Sequence, residues 1–151
     1  MFEVTLRAEV VEPGTPVSVE ATAVDNADRG LLKHGVQVEW RGSEPARLDD
    51  ARFGHHVESN GGDLVTAGRG CGVSWDADAR SVQHICTADL QLIDLRPGQI
   101  HEYPVWIHPS VGPLRLGRGT YVVEEVIAWS RVTDPATPAG RFTVRLTYEV
   151  D

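Results

Sequence analysis

The chain is poor in cysteine and lysine, with two cysteines and the single lysine Lys33 in 151 residues. Two cysteines are too few for a disulfide framework, so a hydrophobic core has to stabilise the fold. No apolar run approaches the roughly 20 residues of a membrane-spanning helix, and the N-terminus has neither the basic nor the apolar region of a signal peptide. We therefore expect no membrane insertion and, by default, a cytoplasmic location.

Positive charge is also scarce. Lysine and arginine together number 14 against 22 acidic residues, which gives a formal net charge of −8. A nucleic acid or an anionic membrane surface requires a basic face, so this balance disfavours both as partners. The hydrophobic content of 41% suffices for a packed core, and a chain of this length predicts one domain over residues 1–151.

A helical period of 3.6 residues is missing as well, whereas period-two alternation is frequent. In residues 2–10 and 142–150 apolar and polar side chains alternate at every position. About nine or ten such strands, separated by turn signals, predict an all-β sandwich or barrel with antiparallel strands. Expected inward-facing residues include Val4, Leu6, Ala8, Val17, Val19, Ala21, Ala23, Val36, Val38, Trp40, Phe142, Val144, Leu146, Tyr148 and Val150.

Three connections are long enough to carry recognition from a rigid sandwich, namely 41–51, 108–119 and 131–140. The first is predicted to be a loop, with room for one helical turn. The last contains two prolines, which stiffen an extended segment, and it precedes the final strand. The candidate recognition residues are Asp134, Pro135, Ala136, Thr137 and Pro138.

Two segments, 95–99 and 116–123, share a leucine, a glycine-containing turn and a strand that carries an aromatic residue. The pair resembles the bacterial intracellular proteinase inhibitor family, although Arg118 stands where that family usually has proline. The resemblance covers about residues 90–129 and implies an immunoglobulin-like antiparallel β-sandwich. It also implies that the Tyr121 hydroxyl locks a corner by bonding an upstream backbone group. The corner residues would be Leu95, Pro97, Gly98, Gly119 and Tyr121.

A hairpin centred between Asp78 and Ala79 would bring the two cysteines together. This register places Trp75 opposite Val82, and Cys71 opposite Cys86. Directly opposed positions are close enough for a disulfide, and the alternative is two buried reduced thiols. A bridge would indicate an oxidising compartment, and the chain would then be extracellular or virion-associated.

Catalytic and metal-binding patterns are weak. His55 and His56 are neighbours and point to opposite faces of a strand, so His56 and Glu58 offer two ligands where structural zinc needs four. Ser74 and His84 lie on opposite faces of their hairpin, and the glycine-rich run 68–72 lacks the residues that hold phosphate. We therefore expect no enzyme activity, no metal and no cofactor.

Charged and aromatic residues give two further clues. Glu124 and Glu125 straddle an apolar strand, so one of them should face inward or into an interface and needs a cationic partner. Trp40 and Trp129 are expected in the core.

These observations favour a non-catalytic protein-binding or assembly module, such as a subunit or decoration component of a larger complex or virion. A proteinase inhibitor of the resembled family is the alternative, and a metal-dependent hydrolase has the least support. The expected partner is a protein, and association with further copies of the chain is left open.

Overall fold

Twelve strands and no helix make up the described part of the chain, which in this computed structural model comprises residues 3–12, 14–24, 32–49, 55–58, 64–68, 73–76, 81–84, 92–109 and 118–151. The strands are β1 (Val4–Val10), β2 (Val17–Ala21), β3 (Leu32–Trp40), β4 (Ala46–Leu48), β5 (His55–Glu58), β6 (Leu64–Gly68), β7 (Val73–Asp76), β8 (Ser81–His84), β9 (Ile93–Leu95), β10 (Ile100–Pro109), β11 (Gly119–Arg131) and β12 (Asp134–Val150).

The strands form an immunoglobulin-like β-sandwich in which every described pairing is antiparallel. The first sheet has the order β1-β12-β11-β4-β9 and the second has the order β2-β3-β10-β6-β5. A separate two-stranded ribbon joins β7 to β8. The β12 strand is an interior strand of the first sheet, because it pairs with β1 on one side and with β11 on the other.

The core lies between the two sheets, as the alternation predicts. Val4, Leu6, Ala8 and Val10 of β1 pack against it, and alternate residues of β12 from Phe142 to Val150 are buried. Because successive side chains of a strand point to opposite faces, one apolar residue in two suffices to build each inner layer. The buried core residues are Leu32, Val36, Val38, Trp40, Ala46, Leu48, Leu95, Tyr103, Val105, Ile107, Tyr121, Val123, Ile127, Phe142, Val144, Leu146, Tyr148 and Val150.

The turn at residues 96–99 carries the chain from the first sheet to the second. Gln99 N donates to Arg96 O at 3.0 Å, and Gly98 has φ 84°. Proline followed by a glycine with positive φ is the pattern of a type II turn. Gly98 N also donates to Trp40 O at 2.7 Å, which fixes the turn to the end of β3.

Several local expectations were wrong. The predicted loop 41–51 contains β4, a three-residue strand that pairs with both β9 and β11. The predicted loop 131–140 shortens to a turn at Val132 and Thr133, because β12 already begins at Asp134. Ala23 is exposed beyond the end of β2, and Thr147, expected on the outer face, is buried.

The ribbon has the predicted register, with Val73 opposite His84 and Trp75 opposite Val82. Cys71 and Cys86 lie outside the described residues, so their disulfide stays a prediction. The β5 and β6 strands form a further antiparallel pair, with Val57 opposite Val65. The described residues include no helix that could span a membrane.

Candidate functional site

A surface pocket of about 250 Å³ opens where β11 turns into β12. The chain reverses here at one end of the first sheet, so side chains of both strands reach the same rim. Three of the pocket residues belong to the segment for which the sequence predicted recognition. The lining residues are Trp129, Arg131, Asp134, Thr137, Pro138 and Ala139.

The rim of this pocket is shaped by an irregularity in the pairing of β11 with β12. Ser130 lies opposite Pro138, yet the next residue, Arg131, lies opposite Asp134. Residues 135–137 are therefore extra on the β12 side, as in an extended β-bulge. Thr137 Oγ1 donates to Asp134 Oδ1 at 3.1 Å, which ties the two ends of the bulge together. Because residues 134–139 are all exposed, the bulge presents a pre-shaped surface.

Trp129 forms the aromatic floor of the site, and the buried Trp40 packs against it. The ring centroids of Trp40 and Trp129 lie 4.8 Å apart with the planes tilted by 58°. Trp40 is 2% exposed, and its Nε1 donates to Glu44 O at 2.7 Å. Position 140 requires glycine, because a Cβ on Gly140 would lie 2.9 Å from Trp129 Nε1. The core thus extends directly beneath the pocket.

Two charges flank the tryptophan floor. Arg131 is 65% exposed and lies 3.8 Å from the Glu44 carboxylate, while Asp134 accepts the bond from Thr137. Trp129 Nε1 is buried and has no hydrogen-bond partner within the described part of the chain. An aromatic floor with an exposed arginine and an adjacent carboxylate can bind an extended segment of a protein, since tryptophan and arginine are enriched at binding hot spots.

A buried polar pair also lies between the sheets, beneath β3 and β12. His34 Nδ1 lies 3.0 Å from Gly35 O, and His34 Nε2 lies 2.5 Å from the Tyr148 hydroxyl. Since a carbonyl only accepts, Nδ1 carries the proton and Nε2 accepts from Tyr148. Burial lowers the pKa of His34 and raises that of Tyr148, because each charged form would lose its hydration. This pair is sealed from solvent and therefore acts on stability.

The side chains of Glu124 and Glu125 point to opposite faces of β11, as the alternation predicts. Glu124 is exposed and accepts a bond from Arg145 Nε at 2.7 Å, whereas Glu125 is half-buried on the face of Val123 and Ile127. Arg145 is thus the partner of the outward glutamate. The prediction of an inward-facing carboxylate is met by Glu125.

The predicted corner residues lie at two separate places in the fold, the β9–β10 turn and the start of β11. Leu95 is buried at the end of β9, Pro97 and Gly98 form the turn, and Gly119 begins β11. Tyr121 is fully buried. Tyr103 makes a bond of the kind expected for Tyr121, since its hydroxyl donates to Asp49 O at 3.1 Å. The corner bond of the Tyr121 hydroxyl itself stays a prediction. Sequence reasoning missed Tyr103 because its acceptor lies in the segment that was taken for a loop.

Within the described residues, no group of three or more potential ligands (His, Cys, Asp or Glu) could hold a metal ion.

Comparisons with known proteins identify no family for this chain. No family model matches the chain, and no curated protein matches it. The resemblance to the proteinase inhibitor family therefore has no support from these comparisons. Among solved structures, the chain is similar to an ASH/PapD-like domain of human CEP192 (PapD-like domain 7), with 15% identity, a TM-score of 0.38, and coverage of 87% of this chain and 84% of that one.

Proposed function

We propose that this chain is a non-catalytic protein-binding domain and that its recognition surface is the β11–β12 hairpin end. The observation that carries this proposal is the pocket at the bulge, where an aromatic floor backed by the core meets an exposed arginine and a rigid proline-containing rim. Such a surface loses little conformational entropy on binding, because its backbone is already held by the strand pairing and by the Asp134–Thr137 bond.

Occlusion of the pocket tests this proposal. Ala139 is exposed and lines the pocket, so Ala139→Arg places a long side chain in the binding space. We expect this variant to bind the natural partner about tenfold or more weakly, the loss typical of a disturbed hot spot. The partner is first identified by co-purification with the wild-type chain, and its affinity is then measured with purified components by calorimetry.

Thr5→Arg is the matched control. It makes the same change in charge at an exposed position of β1, on the outer face of the first sheet. We expect it to bind like the wild type. Equal affinities for Ala139→Arg, Thr5→Arg and the wild type would refute the hairpin end as the recognition surface.

A second candidate function is inhibition of a protease by the same segment. Asp134–Pro138 is exposed, contains two prolines and is braced by an internal hydrogen bond, which are the properties that a substrate-like inhibitory segment needs. We expect inhibition to appear as slowed peptide hydrolysis in a panel of serine proteases, and replacement of Pro135 and Pro138 by alanine should weaken it. Unchanged rates at micromolar protein would eliminate this candidate.

A further inference from the structure

The charged groups of the pocket at the β11–β12 hairpin end are unequally neutralised. Arg131 lies directly opposite Asp134 in the ladder, yet its guanidinium lies 3.8 Å from the Glu44 carboxylate. Asp134 Oδ1 accepts the bond from Thr137 Oγ1 at 3.1 Å, and within the described part of the chain no cationic side chain lies within ion-pair distance of Asp134. The arginine of this site thus has an anionic neighbour, whereas the aspartate has a neutral one.

The Asp134 carboxylate has capacity for a further hydrogen-bond donor. A carboxylate has about four lone-pair sites on its two oxygens. The bond from Thr137 uses one of these sites on Oδ1. Because Asp134 is exposed, a donor group of a partner protein can reach the remaining sites without displacing any part of the bulge. The charge of this carboxylate is therefore available for an ion pair with a partner.

The indole of Trp129 is the second feature of the pocket that favours a cation. Trp129 lines the same pocket as Asp134, and its side chain is only partly buried. Its Nε1–H is buried, so the part of the indole that a partner can reach is aromatic carbon rather than a hydrogen-bond donor. The face of an aromatic ring attracts an ammonium or guanidinium group, and tryptophan does so most strongly.

The size of the pocket fits one long side chain. Its volume of about 250 Å³ lies below the roughly 300–1,000 Å³ of clefts that bind small molecules. Among the cationic side chains, arginine has a planar guanidinium that stacks on aromatic rings and forms paired hydrogen bonds to a carboxylate, whereas lysine offers a compact point charge. An arginine can therefore use both the indole and the carboxylate at once.

We propose that this pocket binds a cationic side chain of the partner protein, an arginine in preference to a lysine, which stacks on Trp129 and pairs with Asp134. This inference rests on the proposed function, because it names the group that the partner inserts at the recognition surface. The net charge of −8 attracts a basic partner over a longer distance. An acidic group would have to compete with Glu44 for Arg131 and would be repelled by Asp134.

N-acetyl-arginine amide is the probe, and N-acetyl-citrulline amide is its neutral control of nearly the same shape. Each is titrated into the isotope-labelled chain and followed by NMR. With the arginine probe we expect saturable shifts of the Trp129 indole N–H and of the backbone amides of Thr137 and Ala139. The citrulline control should bind about threefold or more weakly, because it lacks the positive charge for the cation–π contact and for the ion pair. High salt should reduce this difference by screening.

Two substitutions in the pocket should change the affinity for the arginine probe in opposite directions. Asp134→Asn keeps an oxygen that can accept the bond from Thr137 and removes only the charge, so we expect binding to weaken by up to about fivefold, the upper range for an exposed ion pair. Arg131→Gln removes the competing cation and should strengthen binding by up to about the same factor. Glu3→Gln is the matched control, because it neutralises an exposed carboxylate at the opposite end of the first sheet, where Asp151 N donates to Glu3 O. It should bind like the wild type.

The outcomes separate this inference from the proposed function. Equal binding of the two probes, the absence of saturable shifts, or an unchanged preference for arginine in Asp134→Asn would overturn the cation site. Tighter binding of N-acetyl-glutamate amide than of the arginine probe would also overturn it and assign the pocket to an anionic group. The proposed function would still stand if Ala139→Arg weakened the natural partner. Conversely, selective binding of the arginine probe with unchanged partner affinity in Ala139→Arg would support the cation site and refute the hairpin end as the recognition surface.

Discussion

Replacement of Trp40 by alanine should lower the free energy of unfolding by about 3–5 kcal/mol, the usual cost of removing a buried tryptophan. Trp40 is 2% exposed and packs against Trp129 at the end of the core. The substitution removes this stacking and leaves Glu44 O without its indole donor. Because the neighbouring strands are paired, they cannot collapse to fill the space. Urea denaturation at pH 7.5 measures the loss.

Trp40→Phe separates the contribution of the hydrogen bond from that of the aromatic ring, and Val126→Ala is the surface control. Trp40→Phe keeps an aromatic ring but loses the bond to Glu44 O, so we expect a smaller loss of about 1–2 kcal/mol. Val126→Ala changes an exposed side chain and should lie within about 0.5 kcal/mol of the wild type. A loss below about 1 kcal/mol for Trp40→Ala would show that the tryptophan pair is not part of the cooperative core.

Removal of the Tyr148 hydroxyl should cost about 1–3 kcal/mol, because Tyr148→Phe leaves a buried imidazole nitrogen without a donor. The hydroxyl joins β12 to His34 of β3 across the two sheets. Its loss cannot be repaired by water, since His34 is 8% and Tyr148 is 0% exposed. The double variant His34→Leu/Tyr148→Phe should lose less than the sum of the two single variants, because it removes both polar partners. Additive losses would contradict the hydrogen bond.

The same pair should make the protein less stable in mild acid. Burial lowers the pKa of His34 from its usual 6.5. Between 6.5 and the lowered value, the unfolded chain binds a proton at His34 and the folded chain does not, so protons favour unfolding. The contribution of His34 is therefore complete above pH 6.5 and declines as the pH falls below it. Denaturation midpoints at pH 7.5 and 5.5, compared between the wild type and His34→Gln, isolate this effect. An equal decline in both proteins would assign it to other groups.

Alternation predicted the strands well where one face of a strand is buried. The final strand shows this most clearly, since Phe142, Val144 and Leu146 are buried and Arg145 faces outward. The alternation rule failed for a strand too short to show a period and for prolines that lie within a strand. Ala46–Leu48 pairs with two strands yet sits in a polar stretch too short to show a period. Pro135 and Pro138 indicated a loop, but an exposed bulge at a sheet end tolerates residues without an N–H.

The predicted recognition segment, residues 134–138, shows what the sequence could predict and what it could not. Pro135 and Pro138 predicted a stiff segment before the final strand, because proline fixes φ locally. The segment is exposed, and its stiffness stays a prediction. The tryptophan floor beneath that segment could not be anticipated. Trp40 and Trp129 are far apart in sequence, and only the packing of β3 against the end of β11 brings their rings to 4.8 Å.

The sequence alone determined which residues of each strand face the core, because this depends on a local two-residue period and on the transfer of apolar side chains out of water. Tertiary structure decided which strands are neighbours. It also decided that His34 meets Tyr148, a contact that spans 114 positions. Pairings of this kind depend on the free energy of the whole assembled sandwich, which no local pattern encodes.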